Sequence, residues 1–388
     1  MSTILIQKAF KYRLKPNKEQ DLLFRKTNGC VRYVWNKALF EIKSCLNDKH
    51  YPNYFENAKK LTFWKQHEDN AFLKEVAIDA LQQILIDLDR ACKDGFKKEK
   101  GFPRFKKKGK DDRGFRFPAN IKIDGDHIFL PKAGWVKFQN SRKIKGEIRN
   151  ATVTYKAGHW YVSVQTQFEK KVKERKRKKI GVDFGVTKLA TLSNGHQVEP
   201  INALRKFEKI LAKEQRSLAR KQKDSNRYNR QKLKAQKVYK KITDVRRDYL
   251  HKFTSNLSKS HAVIVIEDLR VSNMSKSAKG TIEEPGVNVK AKSGLNKSIL
   301  DQGWFEARQM LEYKQRWSGG KLVVVPAQYT SQKCSKCGHT EKANRRSQAV
   351  FKCQSCGLKL NADYNASLNI LAAGNTVLAS GDISSVAS

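Results

Sequence analysis

Ile180-Gly181-Val182-Asp183-Phe184-Gly185, followed closely by Leu189-Ala190-Thr191-Leu192-Ser193-Asn194-Gly195, reads as an apolar strand with a hairpin partner. Asp183 stands inside that strand, where an unpaired carboxylate is costly, so something positive has to compensate it. Downstream, Leu204, Phe207, Leu211 and Leu218, then Ala235, Val238, Ile242, Val245 and Tyr249, recur at helical spacing and predict a helical hairpin turning at Asp224-Ser225-Asn226. Ala262 to Ile266 predicts a buried strand ending at Glu267. Ser272 to Ser298 predicts a polar, lid-like loop, Ile299 to Trp317 a helix and Leu322 to Val325 a strand. Strands alternating with helices make this half an α/β domain.

Upstream, Lys170 to Lys179 holds eight basic residues and one acid and marks a domain boundary. Before it, Gly114 to Pro118, Ile121 to Ile123, His127 to Leu130, Trp135 to Phe138, Ile148 to Tyr155 and Trp160 to Phe168 are short alternating runs, the pattern of a small β-barrel or sandwich. Ile4 to Leu14 predicts another strand, with Asn17 and Gln20 capping the helix that follows. The chain from there to about Phe96 is mostly helical, so it becomes an insertion if the first strand belongs to the barrel.

A length of 388 residues suggests two or three domains, and a formal net charge of +43 calls for a polyanionic partner, nucleic acid first. With 39% hydrophobic and 10% aromatic residues, that charge coats folded domains and is not a disordered basic tail. Lys97 to Lys110 carries eight basic residues and one acid around Phe102 and Phe105, two rings expected to pack in a core. Arg205 to Arg247 carries 17 basic and four acidic residues. Lys106, Lys107, Lys108, Arg175, Arg177, Arg216, Arg220, Arg227 and Arg230 are the candidate nucleic-acid contacts. No apolar run approaches a membrane span, and Met1 to Phe10 lacks a signal-peptide core, which predicts a cytoplasmic protein with no membrane partner.

Cys334-Ser335-Lys336-Cys337 and Cys353-Gln354-Ser355-Cys356 lie 15 residues apart, with Gly338 and Gly357 following each pair. This is the spacing of two knuckles around one structural Zn²⁺, four thiolates leaving no open position. Asp183, Glu267 and Asp363 are separated by 84 and 96 residues, and by composition alone they could equally be caps or salt-bridge partners. Strand alternation sends the neighbouring Asp268 to the face opposite Glu267. No P-loop or paired-histidine pattern occurs.

The stretches Ile180 to Gly185, Val265 to Leu269, Tyr329 to Gly338 and Asp363 to Leu371 resemble the TnpB family of transposon-encoded proteins, relatives of the compact type V CRISPR effectors. Lys8 to Leu14, Cys30 to Leu39 and Leu300 to Trp304 extend the likeness over nearly the whole chain. The resemblance implies RNA-guided DNA cleavage next to a short flanking motif. It implies a wedge-type β-barrel (1–15 and 115–172) with a helical recognition insertion (16–114). A RuvC-like RNase H domain (173–388) would follow, with a zinc-binding insertion (329–358) and a flexible tail (374–388). Asp183, Glu267 and Asp363 would be the catalytic acids holding two Mg²⁺, and the partners would be a transposon-derived guide RNA and double-stranded target DNA. Many relatives carry an acid where this chain has Asn361, a change expected to cost little because Asp363 is intact. The alternatives are a nuclease-silent RNA- or DNA-binding regulator and a transposase using the same triad.

Overall fold

The computed structural model describes residues 2–109, 111, 114–173 and 178–380. Residues 5–169 form one compact unit, and residues 1–4 with 170–388 form the other. The first unit is built on a seven-stranded sheet and three helices. In chain order these are β1 (Ser2–Lys15), α1 (Lys18–Asn47), α2 (Tyr54–Gln66), α3 (Ile78–Phe96), β2 (Phe115–Phe117), β3 (Lys122–Asp124), β4 (His127–Leu130), β5 (Gly134–Phe138), β6 (Glu147–Lys156) and β7 (His159–Val172). The strand order is β2-β6-β7-β1-β5-β4-β3, so α1 to α3 are inserted in the chain between strands of one sheet.

The expected β-barrel does not close among the described residues: the sheet is open, with β2 and β3 at its edges. Alternating short runs look alike in both architectures, because closure depends on pairing between distant strands. At the start of α1, Asn17 Oδ1 accepts from the Gln20 amide (2.8 Å) and Gln20 Oε1 from the Asn17 amide (3.1 Å). The Gln20 side-chain amide also donates to the carbonyls of Ala133 (3.1 Å) and Trp135 (3.0 Å), which ties the helix start to β5.

The second unit runs β8 (Lys179–Phe184), β9 (Ala190–Leu192), β10 (Gln197–Val198), α4 (Ala203–Ala219), α5 (Asn226–Ser260), β11 (Val263–Glu267), α6 (Val271–Met274), α7 (Val289–Gln302), α8 (Trp304–Ser318), β12 (Lys321–Val325), β13 (Val350–Lys352), β14 (Lys359–Asn361) and α9 (Ala362–Ser380). Its main sheet has the order β10-β9-β8-β11-β12, antiparallel through β8 and parallel from β8 onward. Alternation sorts the strand residues by face. Ile180, Val182, Phe184, Ile264 and Ile266 pack with Leu250 and Leu257 of α5 and with Trp304, Met310 and Leu311 of α8. Val265, Val323 and Val325 pack instead with Ile370 of α9.

The loop expected over Ser272 to Ser298 is shorter than its composition suggests. Its last ten residues, from Val289, belong to α7, whose Asn296 side chain reaches the carbonyls of Ser275 and Lys276, both at 3.0 Å. Gly303, at φ +70°, separates α7 from α8, where one continuous helix was expected. Of the expected tail (374–388), Gly374 to Ser380 complete α9, and residues 381–388 lie outside the described residues.

α9 sits close to the sheet because two glycines let it. A Cβ on Gly181 would fall 2.3 Å from the Ser367 carbonyl oxygen, and one on Gly374 would fall 2.4 Å from a Val265 methyl. Gly181→Ala is therefore expected to push α9 off β8 and destabilise the protein by about 2–3 kcal/mol, the scale of overpacking. That corresponds to a thermal midpoint lower by about 5–10 °C. Gly101→Ala, where an added Cβ meets nothing within 4 Å, should change stability by less than about 0.5 kcal/mol. Equal midpoints for the two variants would contradict this packing.

Candidate active site

The face of the sheet that receives α9 is also the face that receives two carboxylates. Asp183 is in phase with Gly181, and Glu267 with Val265. β8 and β11 are parallel with Val182 opposite Ile266, so the next residues on each strand, Asp183 and Glu267, are lateral neighbours on one face. Asp363 lies in the first turn of α9, the helix seated on that face. Three residues distant in sequence therefore meet at one end of the sheet.

Their electrostatics agree with that placement. Burial pushes the Asp183 carboxyl well above the usual carboxylate range, and the charges of Glu267 and Asp363 push it further. Burial also raises Glu267, offset by a hydrogen bond from Thr330 and by the charge of Arg345. Asp363 is raised by burial and held back by Arg345, whose Nη2 is 4.0 Å from Asp363 Oδ1. Among the described residues, Arg345 is the one cation acting on all three acids. One guanidinium against three crowded carboxylates leaves a deficit of positive charge, which suits divalent cations with oxygen ligands. Asp268 points the other way and pairs with Arg308 of α8.

Asn361 has a clear local role: its Oδ1 accepts from the amides of Asp363 and Tyr364, both at 3.1 Å, and so caps α9. Asparagine and aspartate cap about equally well, so the departure at this position leaves the helix start intact. Arg345 has no such sequence signal, being one of 80 basic residues.

The four cysteines converge. Cys334 and Cys356 Sγ are 3.7 Å apart, Cys337 and Cys353 Sγ 3.6 Å, and all four sulfurs lie within 4.8 Å of one another. Thiolates at about 2.3 Å from a tetrahedral Zn²⁺ are separated by roughly 3.8 Å, so the set fits zinc with no open position. Gly338 (φ +79°) and Gly357 (φ +72°) close the two knuckles in the left-handed conformation. The fully buried Asn344 joins the knuckles: its Nδ2 donates to the carbonyls of Gln332 (2.9 Å) and His339 (3.2 Å), and its Oδ1 accepts from the Gln354 amide (2.8 Å). Among the described residues no other group of three or more metal-ligand side chains closes this tightly.

The candidate nucleic-acid contacts fall into three groups. Lys106 Nζ lies 3.6 Å from the Trp35 ring centroid, and its backbone exchanges hydrogen bonds with the Asn36 side chain, while Lys107 and Lys108 are exposed. Arg216, Arg220, Arg227 and Arg230 are exposed at the turn end of the α4–α5 hairpin. Arg175 and Arg177 lie outside the described residues. Phe102 and Phe105 are not core residues, being 38% and 41% exposed.

Comparison with known proteins places these features in a family. The model described as "Probable transposase" matches residues 159–278, which contain Asp183 and Glu267. The "Cas12f1-like, TNB domain" model matches residues 304–370, which contain the four cysteines and Asp363. InsQ of Escherichia coli (strain K12), provisionally named an RNA-guided DNA endonuclease, is 49% identical over 97% of this chain and 94% of its own. The chain belongs to the TnpB family. A Streptomyces pristinaespiralis protein with the same provisional name is 34% identical to this TnpB over 97% of the chain and 92% of its own. The fold is shared with the protein of a Cas12f1-sgRNA-target DNA complex, at 13% identity and a TM-score of 0.55, over 94% of this TnpB and 98% of that chain. A "Helix-turn-helix domain" model matches residues 1–47, which in this TnpB are β1 and α1. Among the described residues no helix is long and apolar enough to cross a membrane.

Proposed function

We propose that this TnpB is an RNA-guided DNA endonuclease with a RuvC-like RNase H nuclease domain, in which Asp183, Glu267 and Asp363 hold two Mg²⁺. The meeting of these three acids from β8, β11 and α9 carries the reading, and the names of the relatives support it. The bound ions would supply an activated water and charge neutralisation at the leaving oxygen. The chain's part is to orient three carboxylates on a rigid sheet and helix, and to set Arg345 beside them as a fixed positive charge. Hydrolysis at phosphorus would leave 5′-phosphate and 3′-hydroxyl ends. The four cysteines would hold structural zinc, and the exposed arginines of the α4–α5 hairpin would follow a guide–target duplex through its phosphates. Residues 1–15 and 115–172, with the helical insertion 16–114, would grip guide RNA and read the flanking motif.

The test is to purify the protein from cells carrying its native locus, sequence the RNA that accompanies it, and challenge the complex with a plasmid library matched to that RNA. Mg²⁺-dependent, guide-matched cutting is expected. Bound RNA without cutting would favour a silent regulator, and joining of transposon ends without RNA would favour a transposase.

A pH dependence follows from the raised carboxyls. Groups whose folded pKa is raised stabilise the fold below their ordinary pKa and lose that contribution as pH rises through the raised values. Divalent cations replace the missing protons. The gain in thermal midpoint on adding Mg²⁺ or Mn²⁺ is therefore expected to be larger at about pH 8 than at about pH 5.5. A gain independent of pH would contradict cation binding at these acids.

A further inference from the structure

Glu267 ends β11 at 9% exposure, and a carboxylate so placed needs a partner that fixes its orientation. Its own strand does not provide one. Asp268 is committed to Arg308 on the opposite face, and Arg345 acts on Glu267 only through its charge. The hydroxyl of Thr330 donates to Glu267 Oε1. Thr330 belongs to the segment that leads from β12 into the first zinc knuckle, 63 residues along the chain from Glu267.

That segment is clamped at several points to the helix that carries Asp363. The Asn369 side-chain amide donates to the carbonyls of Thr330 (2.9 Å) and Lys333 (2.6 Å). The Asn365 amide donates to the Lys333 carbonyl (2.8 Å), and its Oδ1 accepts from the Ser335 amide (3.0 Å). Asn365 and Asn369 are one turn apart on α9 and are 0% and 6% exposed. Cys334 sits between Lys333 and Ser335, inside the clamp. The donor to Glu267 and the first zinc ligand are therefore four residues apart on a backbone held by α9.

We propose that Thr330 is a positioning residue for Glu267, and that it couples the four-cysteine zinc site to the carboxylate site. This rests on the functional reading above, in which Glu267 is a cation ligand. A hydroxyl on Oε1 leaves Oε2 for the cation, the arrangement by which outer groups usually orient metal-ligating carboxylates. A purely space-filling threonine would present its methyl and hydroxyl interchangeably with valine. Here the hydroxyl is aimed at a buried acid, and the residue's carbonyl is held by Asn369.

The test uses the full-length protein, with Mn²⁺ as the probe, titrated by electron paramagnetic resonance and referenced to Asp183→Asn, alongside zinc content and thermal midpoint. Thr330→Val is expected to weaken the Asp183-dependent Mn²⁺ site by about tenfold, the low end for losing an outer-shell partner, with zinc content unchanged. Thr330→Ser, which keeps the hydroxyl and drops the methyl, should restore affinity to within about twofold of wild type. Wild-type Mn²⁺ affinity in Thr330→Val would overturn the coupling while leaving the functional reading intact. So would Thr330→Ser as weak as Thr330→Val, or loss of zinc in Thr330→Val, since either would make the residue a support of the knuckle alone. If wild-type protein has no Asp183-dependent Mn²⁺ site, the functional reading and the inference fail together.

Discussion

Asp183→Asn should lower guide-directed cleavage on the order of a thousandfold or more, the upper scale for losing one group that manages charge in a transition state, while guide-dependent DNA binding persists. The same substitution should leave the protein without added divalent cation as stable as wild type, or more stable. In the absence of cations the Asp183 carboxyl is buried, lies beside Glu267 and Asp363, and titrates far above its ordinary range. Asparagine occupies the same volume without the charge, so the repulsion disappears and the strand packing is unaffected. A residue kept for folding would behave in the opposite way, its loss lowering stability along with activity. Activity and stability moving in opposite directions is the signature of a site strained for function. The measurement is cleavage rate, DNA binding and thermal midpoint on the same preparations. Loss of the folded midpoint in Asp183→Asn would make Asp183 a structural residue.

The parts of this site differ in how far local chemistry reveals them. Asp183 stands out because a charge inside Ile180 to Phe184 conflicts with its apolar neighbours, and such conflicts tend to mark functional positions. The cysteines stand out because thiolate chemistry fixes both their spacing and the glycines after them, which take positive φ as the turns demand. Glu267 and Asp363 carry no comparable local conflict, since one ends a strand and the other opens a helix, both ordinary places for an acid. The family resemblance singled them out, and strand phase together with the Gly181 and Gly374 contacts supplies a physical reason for their meeting. Thr330 and Arg345 were not legible, because each acts through a contact made only after distant segments pack. For the same reason alternating runs in the first unit revealed its strands but not the open edges at β2 and β3, which are set by long-range pairing. α7 was hidden by its mostly polar sequence: it is held by side-chain bonds from Asn296, by the buried Asp301 that accepts from the Leu204 amide, and by Ile299 alone in the sheet's core, with no apolar stripe to announce it.

Cys334→Ser should reduce zinc from one per chain to near none and cut cleavage about a hundredfold or more, the upper end for removing support from a metal site. The reasoning starts from what surrounds the cluster. Apart from Phe351, Ala362 and the partly buried Leu358, little apolar surface packs against Cys334 and Cys353, so these knuckles have no hydrophobic core able to fold them without metal. Losing one thiolate leaves three ligands and opens the site to water, and of the remaining sulfurs Cys337 and Cys353, 3.6 Å apart, repel when ionised. The segment before Cys334 then loses its fixed end. Asn365 and Asn369 are left to hold carbonyls of a mobile strand, and the hydroxyl that meets Glu267 loses its register. Damage should spread to the carboxylate site while the sheet, whose core lies in Ile180, Val182, Ile264 and Ile266 against α5 and α8, stays folded. Limited proteolysis should accordingly cut first between Lys333 and Arg346, and circular dichroism should retain most of its signal. Cys45→Ser, which changes a partly buried thiol in α1, should keep full zinc and full activity. Unchanged zinc in Cys334→Ser would remove that cysteine from the ligand set. Lost zinc with undiminished cleavage would mean that the carboxylates keep their geometry without help from the knuckle.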